Sequence, residues 1–142
     1  MLMPKKTKFR KVQRGTRKGR SKGARTVAFG EYGLQAVESV WMTAQQIEAM
    51  RVALSRHMKK TGQMFLRVFP DKPISKKPAE TRMGKGKGNV ELWAAVVKRG
   101  RVVCEISGID EVTARKILKS AAYKLPMKTK FVKKDQQEEM VV

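Results

Sequence analysis

The stretch Val90-Glu91-Leu92-Trp93-Ala94-Ala95-Val96-Val97-Lys98-Arg99-Gly100-Arg101-Val102-Val103-Cys104-Glu105-Ile106 decides the class of fold. Val90 to Val97 is a strongly apolar run of strand length, and Lys98-Arg99-Gly100 supplies a turn. Arg101 to Ile106 is a second such run, so the pair reads as a β-hairpin. A helix follows at once from Asp110. Its apolar positions Ala114, Ile117, Leu118, Ala121, Ala122 and Leu125 share one stripe, with Arg115, Lys116, Lys119 and Lys124 opposite. Pro126 ends it, and Lys128 to Lys134 is a last strand.

Upstream, Thr43 with Gln46 three residues on makes a capping box. Ile47, Met50, Leu54 and Met58 then fall on one stripe, with Arg56, Lys59 and Lys60 away from it. This helix is expected to run to about Thr61 and stop at Gly62. Before it, Val27 to Gly33 reads as a glycine-interrupted strand and Leu34 to Trp41 as a second extended stretch. After it, Met64 to Phe69 is a strand ended by Pro70. Residues 70–89 hold three prolines and three glycines without an apolar period, and read as a long loop. The order β-β-α-β-loop-β-β-α-β indicates an α+β fold. Two helices would pack on one face of a mixed, mostly antiparallel sheet.

The chain has 142 residues, 41% of them apolar, which allows one cored domain and excludes wholesale disorder. No apolar run reaches membrane-helix length, and no secretory h-region follows the first charges. A single cysteine excludes an internal disulfide and a multi-cysteine zinc site. The formal net charge is +21. Charge of that size is a statement about partners, and nucleic acid leads because the basic residues run along the whole chain. A membrane-surface protein would concentrate them on one amphipathic helix.

Residues 1–25 carry Lys5, Lys6, Lys8, Arg10, Lys11, Arg14, Arg17, Lys18, Arg20, Lys22 and Arg25 and no acid. With no apolar period, they read as an arm that orders on an anionic partner. A localisation signal is the competing reading. The domain proper is expected over 26–134, with a frayed tail at 135–142.

Catalytic chemistry finds few candidates. His57, the only histidine, sits at the edge of a helical stripe and reads as a partly buried structural residue. Cys104 alternates with Val102 and Ile106 and reads as a buried, inert thiol. No acids are paired for general acid–base work, and zinc has no ligand set. The segment Arg82-Met83-Gly84-Lys85-Gly86-Lys87-Gly88-Asn89 looks like a phosphate loop but fails its tests. Neither Lys85 nor Lys87 precedes Ser or Thr, and the segment opens into a strand rather than a helix. Alternating glycines would instead let the backbone approach a folded RNA, with Lys85, Lys87 and the planar Arg82 fork meeting phosphates. A solvated basic loop is the plain alternative.

Four segments carry a family signature: Met1-Leu2-Met3-Pro4-Lys5-Lys6-Thr7-Lys8-Phe9-Arg10-Lys11, Phe29-Gly30, Arg67-Val68-Phe69-Pro70-Asp71-Lys72-Pro73 and Arg82 to Gly88. They closely resemble the bacterial-type large-subunit ribosomal protein sixteen family, the universal uL-sixteen group, in order and to about Lys134. The resemblance implies an α/β-hammerhead-like domain on large-subunit rRNA, near the central protuberance and the base of the factor-binding stalk. It implies an arm threaded into rRNA and a loop at 76–88, with Lys76 and Lys77 at its start, pointing toward the peptidyl-transferase centre and tRNA. It also implies late entry into the subunit and, in some bacteria, hydroxylation of the arginine at position 82.

The expected function is therefore a non-catalytic, cytoplasmic ribosomal protein without a cofactor or small-molecule substrate. Its partners would be rRNA, tRNA and neighbouring ribosomal proteins. Binding would fall mainly to the arm together with Arg56, Lys59 and Lys60, which meet phosphates and confer affinity rather than sequence reading. An RNA-modifying or nucleotide-dependent enzyme and a DNA-compacting protein are the other classes. The first lacks catalytic groups, and the second does not need the Gly-Lys loop.

Overall fold

The computed structural model describes residues 2–9, 11–12, 15, 19–58, 62–75 and 90–134. In chain order the elements are β1 (Tyr32–Ala36), β2 (Val40–Thr43), α1 (Ala44–His57), β3 (Gln63–Leu66) and β4 (Lys72–Ser75). There follow β5 (Val90–Val97), β6 (Val102–Ser107), α2 (Glu111–Ala122) and β7 (Thr129–Lys133). The fold is α+β.

The helices form where their stripes and caps place them. At α1 the Thr43 hydroxyl accepts from Gln46 N at 3.2 Å, and Gln46 Oε1 accepts from Thr43 N at 2.9 Å. Ile47, Met50 and Leu54 are fully buried. At α2 the Asp110 carboxylate accepts from Thr113 N, and Ala114, Ile117, Leu118 and Ala121 are buried. The two helices pack on each other, with α2 against β1 and β7 and α1 against β2, β3 and β5. Ala122, Leu125 and Met58 are half-buried against this core.

The sheet differs from the sequence expectation in three ways. There are two sheets, ordered β3-β6-β1-β7 and β2-β5-β4. All five ladders between the named strands are antiparallel; the parallel contact is an isolated bridge, Arg20 with Arg99. Most importantly, β5 and β6 are not a hairpin. The turn at Lys98–Gly100 is real, with Gly100 at φ +94°. It hands the chain from one sheet to the other.

The cause is competition for the backbone at the turn. Ala36 N donates to Arg101 O at 2.8 Å, and Gly100 N donates to Ala36 O at 2.7 Å. The β1 ladder with β6 therefore runs up to the turn itself, while β5 is taken by β2 through Val97 and Val40. The stretch Leu34–Trp41 breaks at residues 37–39 for the same reason, since β1 and β2 also lie in different sheets. The two crossings lie side by side, with Arg99 N donating to Ser39 Oγ at 3.0 Å.

Part of the expected loop 70–89 is strand. Lys72–Ser75 forms β4 and covers the outer edge of β5. Pro73 is tolerated there because β4 is an edge strand. The run Val27–Gly30 is not a strand; β1 starts at Tyr32. Finally, α1 ends at His57 with an extended C-cap at Met58. His57 is consequently exposed rather than partly buried.

Candidate nucleic-acid interface

The site is built around a buried carboxylate. Glu105 on β6 is fully buried. Its Oε1 accepts three backbone N–H groups, from Ala28 at 2.9 Å, Phe29 at 2.8 Å and Gly30 at 2.9 Å. Its Oε2 accepts from Arg67 Nη1 at 2.9 Å. The same Arg67 nitrogen donates to Thr26 O at 2.7 Å, and Arg67 O accepts from Arg101 Nη2 at 2.8 Å. A buried charge is tolerable only when paired and hydrogen-bonded on all sides, as this one is. Gly30 has to be glycine, because a Cβ there would fall 2.7 Å from the Ile106 carbonyl oxygen. The Phe29-Gly30 and Arg67-Val68-Phe69-Pro70 segments thus meet at one acid, and this clamp fixes where the chain enters the domain.

The entering chain lies along the sheet crossing. Ser21 N donates to Arg99 O at 3.0 Å, and Val102 N donates to Ala24 O at 2.7 Å. Ser39 Oγ donates to Gly19 O at 3.3 Å. Gln35 Nε2 bridges the carbonyls of Arg25 and Gly100, at 3.0 and 2.8 Å. These bonds shape a notch of about 250 Å³ lined by Arg20, Arg25, Arg99 and Lys130 around Gln35 and Gly100. None of its described lining residues is acidic. A side chain at Gly100 would place its Cβ 3.1 Å from Arg25 Nε, so glycine leaves room for the guanidinium. Four cations gathered in one concave lining carry the charge that suits phosphate oxygens.

Of the residues singled out in the sequence, Arg20, Lys22 and Arg25 are exposed, and Arg20 and Arg25 line the notch. Lys5, Lys6 and Lys8 are exposed as well, Lys11 is half-buried, and Leu2 packs on the core. Arg56 is exposed near the end of α1. Arg10, Arg14, Arg17, Lys18, Lys59 and Lys60 lie outside the described residues. So do Lys76, Lys77, Arg82, Met83, Gly84, Lys85, Gly86, Lys87 and Gly88. The ends of segment 76–89 are nevertheless held together, because Ser75 pairs with Val90 across β4 and β5.

Sequence reasoning missed Arg99 and Lys130. Lys130 was findable, since it lies in the expected last strand, one residue before the apolar pair Phe131-Val132, and is exposed. Arg99 was not, because nothing local brings it beside Arg20. Cys104 is buried, and burial pushes its thiol up to about 12, with the Glu105 charge adding to the shift. Among the described residues no three His, Cys, Asp or Glu side chains converge as a metal site, and no helix could cross a membrane.

Residues 4–132 match the family described as ribosomal protein L16p/L10e. The chain belongs to that family. It is a ribosomal protein. "Large ribosomal subunit protein uL16" of Heliobacterium modesticaldum is 56% identical over 136 residues, covering 96% of this chain and 94% of the relative. The protein of the same name from Thermosipho africanus is 60% identical over 134 residues, 94% of each chain. That of Pseudothermotoga lettingae is 59% identical over 132 residues, 93% of each. The L16p/L10e match begins inside the basic N-terminal stretch and takes in both the Glu105 clamp and the notch.

Proposed function

We propose that this L16p/L10e protein is a structural component of the large ribosomal subunit, where it binds rRNA, supports late assembly and helps position tRNA near the peptidyl-transferase centre. It would work in the ribosome, in the cytoplasm. The observation that carries the reading is the notch of Arg20, Arg25, Arg99 and Lys130, which joins the basic arm to the folded body and has no acid among its described lining residues. Phosphates there would fix the orientation of the body on RNA, while the arm 1–25 adds contacts along the backbone. Neighbouring ribosomal proteins complete the set of partners.

The tRNA role falls to segment 76–89. Its glycines and lysines suit close approach to folded RNA, and Arg82 supplies a fork that a lysine cannot copy. The residues on either side of the segment, Ser75 and Val90, are paired across β4 and β5.

Two experiments test the reading. Cell lysate fractionated at low magnesium should show the chain travelling with the large subunit. Purified ribosomes fully occupied by Arg82→Ala or Gly86→Val should make peptide more slowly or bind tRNA more weakly than wild type. Wild-type rates for both variants would reduce the segment to a solvated basic loop.

A further inference from the structure

We propose that Phe29 is a stacking seat for an unpaired nucleobase. The inference rests on the RNA-binding reading and adds a contact that charge alone does not provide. Phe29 is 66% exposed, although its own backbone N–H is held by a buried carboxylate. Its N–H donates to the buried Glu105 carboxylate, and the next residue is the sterically required Gly30. The ring is braced as well as the backbone. Phe65 lies beside it with centroids 5.9 Å apart, and the Arg67 guanidinium carbon sits 5.2 Å from its centroid.

A ring covered on both faces could not leave two thirds of its surface open. A buried ion pair and three backbone bonds thus fix the backbone beneath an aromatic side chain that the fold does not bury. An exposed ring braced by Phe65 and Arg67 on a fixed backbone suits base stacking, since bracing lowers the side-chain freedom lost on contact. The occupant follows from charge. The Arg67 guanidinium beside the ring is already paired with Glu105, but the chain as a whole carries a net charge of +21, so the partner is anionic and carries flat π faces. Unpaired RNA bases combine both properties, and they are the usual targets of aromatic side chains on RNA-binding proteins.

The test uses the full chain with two RNA probes, single-stranded oligoadenylate and a long RNA duplex with few ends. Phe29→Leu keeps an apolar side chain but removes the flat ring. It should weaken oligoadenylate binding about 5- to 150-fold, the range expected for removing one base–aromatic stack. The salt dependence should stay unchanged, because every phosphate-binding cation is kept. Duplex binding should also be unchanged. Phe29→Trp should retain affinity for oligoadenylate. Its emission in excess of wild type, which contains Trp41 and Trp93, should be quenched by that RNA. Equal losses on duplex and oligoadenylate, or no loss on either, would overturn the seat while leaving RNA binding intact. Failure of the wild-type chain to bind either probe would overturn the RNA-binding reading and the seat with it.

Discussion

Arg67 and Glu105 form a buried ion pair, Nη1 to Oε2 at 2.9 Å, in which the acid is fully enclosed and the arginine side chain is 16% exposed. The pair joins the end of β3 to the middle of β6, and the remaining oxygen of Glu105 holds residues 28–30. Removing one partner leaves the other charged and buried. Arg67→Ala should therefore cost about 3–5 kcal/mol of stability, read from urea unfolding. Arg67→Lys should recover part of this, because an ammonium cannot copy the planar fork. A loss below about 1 kcal/mol for the alanine variant would mean that the clamp is dispensable.

The faces of α2 can be checked by two neighbouring substitutions. Leu118 is 1% exposed and packs in the core, so Leu118→Ala should cost about 2–5 kcal/mol. Lys119 points to solvent, and Lys119→Ala should cost less than about 0.5 kcal/mol. Thermal or urea unfolding separates the two, and equally mild effects would contradict the packing described.

Arg99 and Lys130 offer a test of the notch that leaves the arm untouched. Arg99→Gln combined with Lys130→Gln should flatten the log–log salt dependence of RNA binding by roughly 0.7–0.9 for each phosphate no longer neutralised. The melting midpoint should barely move, because both residues are exposed. An unchanged slope would remove the notch from the interface.

The Cys104 thiol sets an alkaline limit on stability. Its pKa rises from the ordinary 9.0 to about 12 in the fold, chiefly through burial. The unfolded chain thus ionises its thiol while the folded chain keeps it protonated. The contribution is fully present below pH 9.0 and is lost as pH climbs toward 12. Against Cys104→Ala, wild type should lose about 1.4 kcal/mol per pH unit in that window. At neutral pH the native thiol should resist alkylation until the protein unfolds. Rapid labelling of native protein would contradict its burial.

Both helices were legible in the sequence because an amphipathic stripe and its cap are local facts. Thr43 with Gln46, and Asp110 ahead of Ala114, needed no knowledge of the rest of the chain. Strand pairing is not local. Val90–Val97 and Arg101–Ile106 are apolar enough to pair with each other, but the backbone of Ala36 decides that they do not. His57 was misjudged because α1 stops there instead of continuing to Thr61. The basic character of the interface was plain from composition. The notch was not, since Arg20, Arg99 and Lys130 come from three distant parts of the chain. Glu105 gave no signal either: one acid amid an apolar run looks like an outward-facing residue, and only the incoming turn at 28–30 makes it an interior one.

The strand order β3-β6-β1-β7 also fixes when the protein can assume its shape. β1 is the first strand to be synthesised, yet both of its neighbours are made late. Ser39 and Arg99, joined at the sheet crossing, are 60 residues apart in the chain. Synthesis therefore gives the N-terminal third no head start, and the central strand must wait for Lys133 before its second edge is filled. Folding through such distant partners is slow compared with folding through neighbours in sequence. For that interval the nascent chain is an open polycation, its charge of +21 not yet arranged by a fold.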